Sequence, residues 1–357
     1  MLGALAEVTD GAVLVGGTVR DLLLGRSSRD LDAVLETPVK PPARALQAKL
    51  GGKLVCHEFL TCTLEWPTLT LDLATARLEH YPHPGALPVV QASTLGQDLL
   101  RRDFSVNTFA LRLTAPHTLV SVPGAKNDLE ARTLRILHRR SFFDDPTRIV
   151  RGSRLAGRLG FGYDPATRQG LADALATGAH ERVGPARLKG ELLLTLAEPA
   201  VAPALGHLSA SGALEALYGL HRTPLITRLD ALQADISPTS YLLALLLPLG
   251  GAEAAAHVRK FSWPEKLLKA RARLLAGERP RTDAERMVYQ ALDPDGAANS
   301  QLRGSDVLDL GLPAGPEVGR VLRRVKEARR DGQVASFAAE LELARRLVYD
   351  IHKRGNT

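Results

Sequence analysis

The stretch that most narrows the possible folds lies near the start of the chain. Val13, Leu14 and Val15 form an apolar run, Gly16 and Gly17 follow at once, and a helix-like segment Thr18–Leu24 opens behind them. The apolar run reads as a buried strand. Glycine lets a backbone approach a polyphosphate closely, and successive amide N–H groups cradle one. Asp30-Leu31-Asp32 comes next, and in a strand that i, i+2 spacing sends both carboxylates to one face. Two carboxylates on one face beside such a turn suit a Mg²⁺-dependent phosphoryl or nucleotidyl transfer, with Asp30 and Asp32 as the metal ligands and Gly16, Gly17 and Arg20 meeting the phosphates. An isolated Asp-x-Asp is more often a pair of capping or surface aspartates. Here the preceding Gly-Gly-x-x-Arg-Asp turn favours the site reading.

Three further clusters carry chemistry. Thr68, Thr70 and Asp72 share the polar face of an alternating strand, so a neighbouring strand would bring Asp72 beside Asp30 and Asp32 as a third carboxylate; an exposed strand aspartate is the plainer alternative. In Asp98-Leu99-Leu100-Arg101-Arg102-Asp103-Phe104-Ser105-Val106-Asn107, the i, i+4 spacing of Asp103 and Asn107 puts both on one helical face. Their side chains suit ribose hydroxyls, and Arg101 or Arg102 suits a phosphate. Taken alone, Asp98 or Asp103 is equally a helix cap. In Asp144-Asp145-Pro146-Thr147-Arg148-Ile149-Val150-Arg151, Pro146 marks a helix first turn behind Asp145 as N-cap, and Arg148, Arg151 and Arg154 recur on one face. An arginine fork reads the acceptor edge of a base and an aspartate receives its exocyclic amine; a solvated basic face accounts for the same spacing.

Residues 1–112 alternate helical and strand patterns. Helices are expected at Leu2–Val8 and Ala43–Leu50, the latter after a break at Pro38, Pro41 and Pro42. Strands are expected at Ala12–Val15, Leu31–Leu35, Lys53–Glu58, Cys62–Trp66 and Leu69–Ala74. Residues 78–97, with Pro82, Pro84, Gly85 and Pro88, read as a loop, and helical patterns dominate from about residue 128. The class is therefore α+β: a small mixed sheet with helices, then an all-helical remainder.

The net charge of +7 divides unevenly. Residues 1–110 hold 10 basic and 12 acidic side chains, whereas the rest holds 36 and 27. An acidic part with a basic remainder suits a metal site joined to a surface for a polyanion, although a simply basic protein has the same numbers. Aromatic residues make up only 4%, which argues against a stacking platform of the RNA-recognition-motif kind. Cys56 and Cys62 are too few for a disulfide framework and form no zinc pattern, so a reducing cytoplasm fits. The start lacks the marks of a signal peptide, and the apolar run Tyr241–Leu249 is too short to span a membrane.

Taken together and in this order, the four clusters resemble the class II tRNA nucleotidyltransferase and bacterial poly(A) polymerase family. The head motif is matched by Gly16, Gly17, Val19, Arg20, Asp21, Asp30 and Asp32, and the ribose motif by Arg101, Arg102, Asp103 and Asn107. The nucleotide-selecting Glu-Asp-x-x-Arg is matched by Asp145 and Arg148, with Asp144 in place of the usual Glu. Gly124, Asp128, Leu129 and Arg135 resemble the head-to-neck segment, and Arg187 and Glu191 a helix-bracing Arg-x-x-x-Glu. The match is specific over about residues 12–192, and residues 302–316 are similar to a C-terminal segment of some members.

The resemblance implies a polymerase-β-like head over 1–137, a helical neck over 138–200, and a helical body and tail over 201–357. It implies template-free addition of CTP or ATP to a tRNA 3′ end with Mg²⁺, base choice resting on Asp145 and Arg148. Arg320, Arg323, Arg324, Lys326, Arg329 and Arg330 are candidates for a tRNA-binding surface, a plain solvated helix being the alternative. Residues 75–88 look like those of A-adding members, which act beside a separate CC-adding enzyme, and residues 78–97, at the family's flexible-loop position, are not shortened as in CC-only members. Addition of the terminal A is thus the leading expectation, full CCA or CC addition next, and poly(A) synthesis third. A non-catalytic RNA-binding protein on the same scaffold is the reading from a different class.

Overall fold

The computed structural model describes every residue except 58–59, 233–234, 277, 279, 293–301, 331–332, 335–336 and 356–357, with backbone alone at 330, 337–338 and 354–355. Two compact units result. One is Met1–Arg222 with Arg259–Ser262, and the other is Thr223–Val258 with Trp263–Thr357.

The first unit opens with α1 (Leu2–Val8), β1 (Val13–Val15), α2 (Gly17–Leu23), β2 (Asp30–Leu35), α3 (Lys40–Leu50), β3 (Lys53–His57), β4 (Thr61–Trp66) and β5 (Leu69–Thr75). It continues with β6 (Arg77–His80), β7 (Val89–Ala92), α4 (Leu95–Leu100), β8 (Ala110–Arg112), β9 (Leu119–Val120) and α5 (Ala125–Glu130). Seven strands form one sheet in the order β3-β4-β5-β2-β1-β8-β9. Only β2 and β5 run parallel in it; the remaining pairs are antiparallel.

All three residues of β1 are buried, as a central strand covered on both faces requires. Its apolar face joins Val34, Ala76, Leu95, Leu99 and Ala110 in one core, which seats α4 beneath the sheet. Burying side chains of this kind stabilises by about 1.5–3 kcal/mol each. In β5, Leu71 and Leu73 point into the core while Asp72 points away. Register then pairs Asp32 with Asp72 and Asp30 with Thr70 across the parallel pair.

Two expectations change here. Pro41 and Pro42 lie inside the first turn of α3 instead of ahead of it, where no amide is needed for an intrahelical bond. Residues 78–97 are not a plain loop, because β6 and β7 pair as an antiparallel hairpin and α4 begins at Leu95. Its proline- and glycine-bearing turn hides two strands with little apolar alternation. Cys56 and Cys62 face each other across β3 and β4 and form one disulfide.

The unit continues through β10 (Thr133–Leu134), α6 (Ser141–Asp144), α7 (Thr147–Leu159), β11 (Gly162–Tyr163), α8 (Pro165–Ala176), α9 (Pro185–Leu196), α10 (Val201–Ala210) and α11 (Ala213–Tyr218). Gly152 lets α7 sit against the Phe104 ring, since a Cβ there would fall 2.6 Å from it. Asp164 caps α8 by accepting from the Ala166 and Thr167 amides. Arg135 binds both Asp128 of α5 and Asp164, which ties the sheet region to the helices that follow.

The second unit comprises α12 (Pro224–Ala231), α13 (Pro238–Leu246), α14 (Gly251–Lys260), whose last two residues belong to the first unit, α15 (Lys266–Leu275), α16 (Asp283–Leu292), α17 (Gly304–Asp309), α18 (Pro316–Arg330) and α19 (Phe337–Gly355). The apolar run from Tyr241 is the buried α13, and among the described residues no helix is long and apolar enough to cross a membrane. Val307, Val321, Val325, Ala344 and Val348 form the core shared by α17, α18 and α19.

Candidate active site

Thr18 joins the glycine turn to the carboxylate strand. Its hydroxyl donates to the Asp30 carbonyl at 3.2 Å and accepts from the Asp32 amide at 3.0 Å. Gly16 has φ +67°, a backbone angle that favours glycine, and a Cβ on it would lie 2.7 Å from Arg102 Nη1 and push that side-chain tip aside. Its amide is already given to the Phe109 carbonyl.

A cavity of about 580 Å³ opens over this turn, lined by Gly16, Gly17, Asp32, Asp72, Arg101, Arg102, Asp103, Asn107, Asp145, Arg148 and Arg151 among others. All four sequence clusters thus meet at one place. Asp30 stands outside that lining, at the exposed end of β2. Burial pushes the Asp32 carboxyl up to about 6, with Asp72 and Asp30 adding to the rise and Arg102 and Arg20 opposing it. Thr63 of β4 donates to Asp72 Oδ1 at 2.5 Å.

A carboxylate held this unfavourably, with two more nearby, fits a divalent cation. The donors are hard oxygens, and Mg²⁺ is usually bound through one or two carboxylates plus substrate phosphates. Among the described residues no group of three or more metal-ligating side chains closes on one point, so Asp30, Asp32 and Asp72 do not form a closed three-carboxylate cluster.

Asp98 is not a helix cap, because Thr94 caps α4. Asp98 is fully buried and accepts from Arg101 at 2.6 Å and Arg102 at 2.9 Å. Burial alone would raise its pKa, but the two guanidinium groups hold it below the usual carboxylate range. Glu79 of β6 holds the other side of Arg101 at 2.8 Å and also accepts from Arg77 and from the Tyr81 hydroxyl. Asp103 and Asn107 do meet, at 2.8 Å, but across a 3-10 turn over Ser105–Asn107 and not on an α-helix. Arg151 closes on Asp103 at 2.9 Å.

Asp145 stands one residue before the N-cap position of α7, which Pro146 holds in place of the expected first-turn site; its Oδ1 accepts from the Thr147 amide at 3.1 Å and hydroxyl at 2.7 Å. Arg187 adds a third donor to that oxygen, at 2.8 Å. All three of these bonds fall on Oδ1 and none on Oδ2. Arg148 is buried, with Nη1 on Ser141 Oγ and Nη2 on the Arg101 carbonyl, both at 2.7 Å.

Comparison with known proteins gives the same answer. A poly A polymerase head domain model matches residues 12–135. The CC-adding tRNA nucleotidyltransferase of Deinococcus radiodurans is 37% identical over 351 residues, 92% of this chain and 87% of its own. The chain belongs to the tRNA nucleotidyltransferase and poly(A) polymerase family. It is an enzyme of the nucleotidyltransferase class. The A-adding enzyme of Geobacter sulfurreducens is 32% identical over 97% of this chain, which spans 47% of that protein. A solved CCA-adding enzyme shares the fold at a TM-score of 0.69 and 26% identity, covering 96% of this chain and 93% of its own.

Four family-based expectations differ in geometry. Arg20 is 2% exposed and absent from the cavity lining; it donates to Asp21 and to Asn107 Oδ1, so it braces the Asp103–Asn107 pair. Arg154 is turned away from the cavity toward Glu191 within α9 and Glu198 just beyond its end, at 3.7 and 3.6 Å. Arg187 does not pair with Glu191 but spans from Asp145 to the Gly85 carbonyl at 2.8 Å. Arg329 is buried on Glu340, not offered to a surface, because it lies on the face of α18 that meets α19. Arg320, Arg323, Arg324 and Lys326 are exposed, and the Arg330 side chain lies outside the described residues. Glu79, Tyr81 and Ser141 were missed. Alternation in Arg77-x-Glu79-x-Tyr81 was the available signal for the first two, whereas nothing local marks Ser141.

Proposed function

We propose that this enzyme adds nucleotides of the terminal CCA to tRNA without a template, through attack of the tRNA 3′-hydroxyl on the α-phosphate of ATP or CTP with pyrophosphate leaving. The observation that carries this is the convergence of Asp32, Asp72, the Asp103–Asn107 pair and the Asp145–Arg148 pair on one cavity.

Asp30 and Asp32 would hold Mg²⁺, with Asp72 as the third carboxylate. When bound, the ion neutralises the phosphates and lowers the pKa of the attacking hydroxyl. Gly16, Gly17 and Arg102 form the wall nearest Asp32 and suit the phosphates. Asp103 and Asn107 orient the ribose, braced by Arg20 and Arg151. Asp145 Oδ2 and the free protons of Arg148 face the base edge, so the protein itself selects the base. The exposed basic face of α18 suits a phosphate backbone read by shape. The division at 137 and 200 into head, neck, and body with tail belongs to the same proposal, as does a cytoplasmic location.

Addition of the terminal A is the preferred product. The full-length β6–β7 hairpin and the likeness of residues 75–88 to A-adding members support it, and it implies a separate CC-adding enzyme. CC addition is the second reading, favoured by the extent of the match to the Deinococcus radiodurans protein. Three transcripts of one tRNA, ending before CCA, after C and after CC, decide between them when incubated with CTP, ATP or both. Extension of only the CC-ended transcript by ATP is expected. Asp30→Ala should remove extension while tRNA binding persists. No extension of any transcript by the wild type would refute the proposal.

A further inference from the structure

One aromatic side chain, Tyr81, stands among the described residues that line the cavity. It follows β6 at the base of the hairpin turn and is half-buried. Its hydroxyl donates to Glu79 Oε2 at 2.8 Å. Glu79 is itself fixed by Arg77 at 2.9 Å and Arg101 at 2.8 Å, so the phenol is anchored at its polar tip to a buried ion cluster. Asp145 and Arg148 stand close enough to perturb its ionisation from opposite directions. Of the apolar lining residues, Val15, Ala33, Val34 and Ala74 belong to β1, β2 and β5, the strands at the carboxylate end, and Pro88 to the same hairpin turn as Tyr81.

We propose that the Tyr81 ring is the stacking platform for the base of the incoming nucleotide. The proposal rests on the nucleotide-site reading above and adds to it the surface that carries the face of the base. A base edge held by Asp145 and Arg148 leaves two π-faces to be covered, and an aromatic side chain beside those residues covers one of them. Because the hydroxyl is tethered, the ring is in place before the nucleotide arrives, and little side-chain freedom is lost on binding. Every base has a π-face, so the ring supplies affinity without choice. Selection stays with Asp145 and Arg148.

The test compares Tyr81→Leu, Tyr81→Phe and wild type in tRNA extension, with KM and kcat measured for each nucleotide used, and in calorimetric binding of ATP without tRNA. Tyr81→Leu is expected to raise nucleotide KM and the ATP dissociation constant about 5-fold or more, the fold-change matching about 1 kcal/mol at the low end of base–aromatic stacking. Its kcat should change less, and its preference between ATP and CTP should stay as in wild type. Tyr81→Phe keeps the ring and loses only the tether, so it should cost about 2-fold in both readouts, well short of the leucine variant. Unchanged KM and binding in a folded Tyr81→Leu would overturn the proposal. So would a 5-fold loss in Tyr81→Phe, a variant that removes one oxygen and holds the test even if the leucine variant melts early. Absence of turnover in wild type would instead refute the parent reading, which keeps the two failures apart.

Discussion

Asp32→Asn is expected to stabilise the metal-free protein while ending its turnover. The Asp32 carboxyl is pushed from an ordinary 3.8 up to about 6, by burial first and then by Asp72 and Asp30. At about 1.4 kcal/mol for each tenfold step in acidity, and allowing for the partial exposure of the side chain, the ionised form costs the fold about 2–3 kcal/mol. The sign follows from a folded pKa raised above the unfolded one. The contribution of the group to stability is fully present below about 3.8 and is lost as pH rises through about 6. Asparagine does not ionise, so the variant gains on wild type across that window and keeps the gain above it. For a unit of this size the gain corresponds to about 4–10 °C in melting temperature. The assay is thermal unfolding of the first unit in chelator at pH 4, 6 and 8, repeated with added Mg²⁺. Variant and wild type should melt together at pH 4 and separate by pH 8. Mg²⁺ should raise wild type and leave the variant unmoved. A variant that melts at or below wild type at pH 8 in chelator would refute the reasoning, since Asp32 would then be a stabilising ion pair.

Arg187→Leu should lower kcat/KM for the nucleotide about 10-fold and raise misincorporation, because Asp145 Oδ1 and the Gly85 carbonyl lose a charge-assisted donor; sequencing of extended tRNA ends reads this. Gly16→Ala should cost about 1–2 kcal/mol from the positive φ and also displace Arg102, seen as an earlier melt together with weaker ATP binding. Glu340→Ala should destabilise the second unit by about 1.5–3 kcal/mol in denaturant unfolding, since buried Arg329 loses a charge-assisted hydrogen bond.

Local chemistry made much of this legible. The apolar run before Gly16, the alternation around Asp72 and the proline-led starts of α8 and α13 each state their own conformation, because strand burial, face alternation and first-turn prolines are nearest-neighbour effects. The β6–β7 hairpin was hidden because its strands are short and mostly polar, and their pairing is not announced by periodicity.

The sequence by itself determined which residue types the site has to work with: the carboxylate pair at one end of a strand, the arginines just after α4 and within α7, and Asp145 at a helix start. Tertiary structure decided which of them face the cavity. Arg20, Arg154 and Arg329 read as open cations, yet each is turned to a carboxylate or amide brought from a distant element or an adjacent turn. Glu79 and Tyr81 read as loop residues, yet the hairpin folds them against Arg101 and the cavity. The physical reason is that burying a charge requires a partner, and the partner comes from packing between elements that no short stretch of sequence encodes.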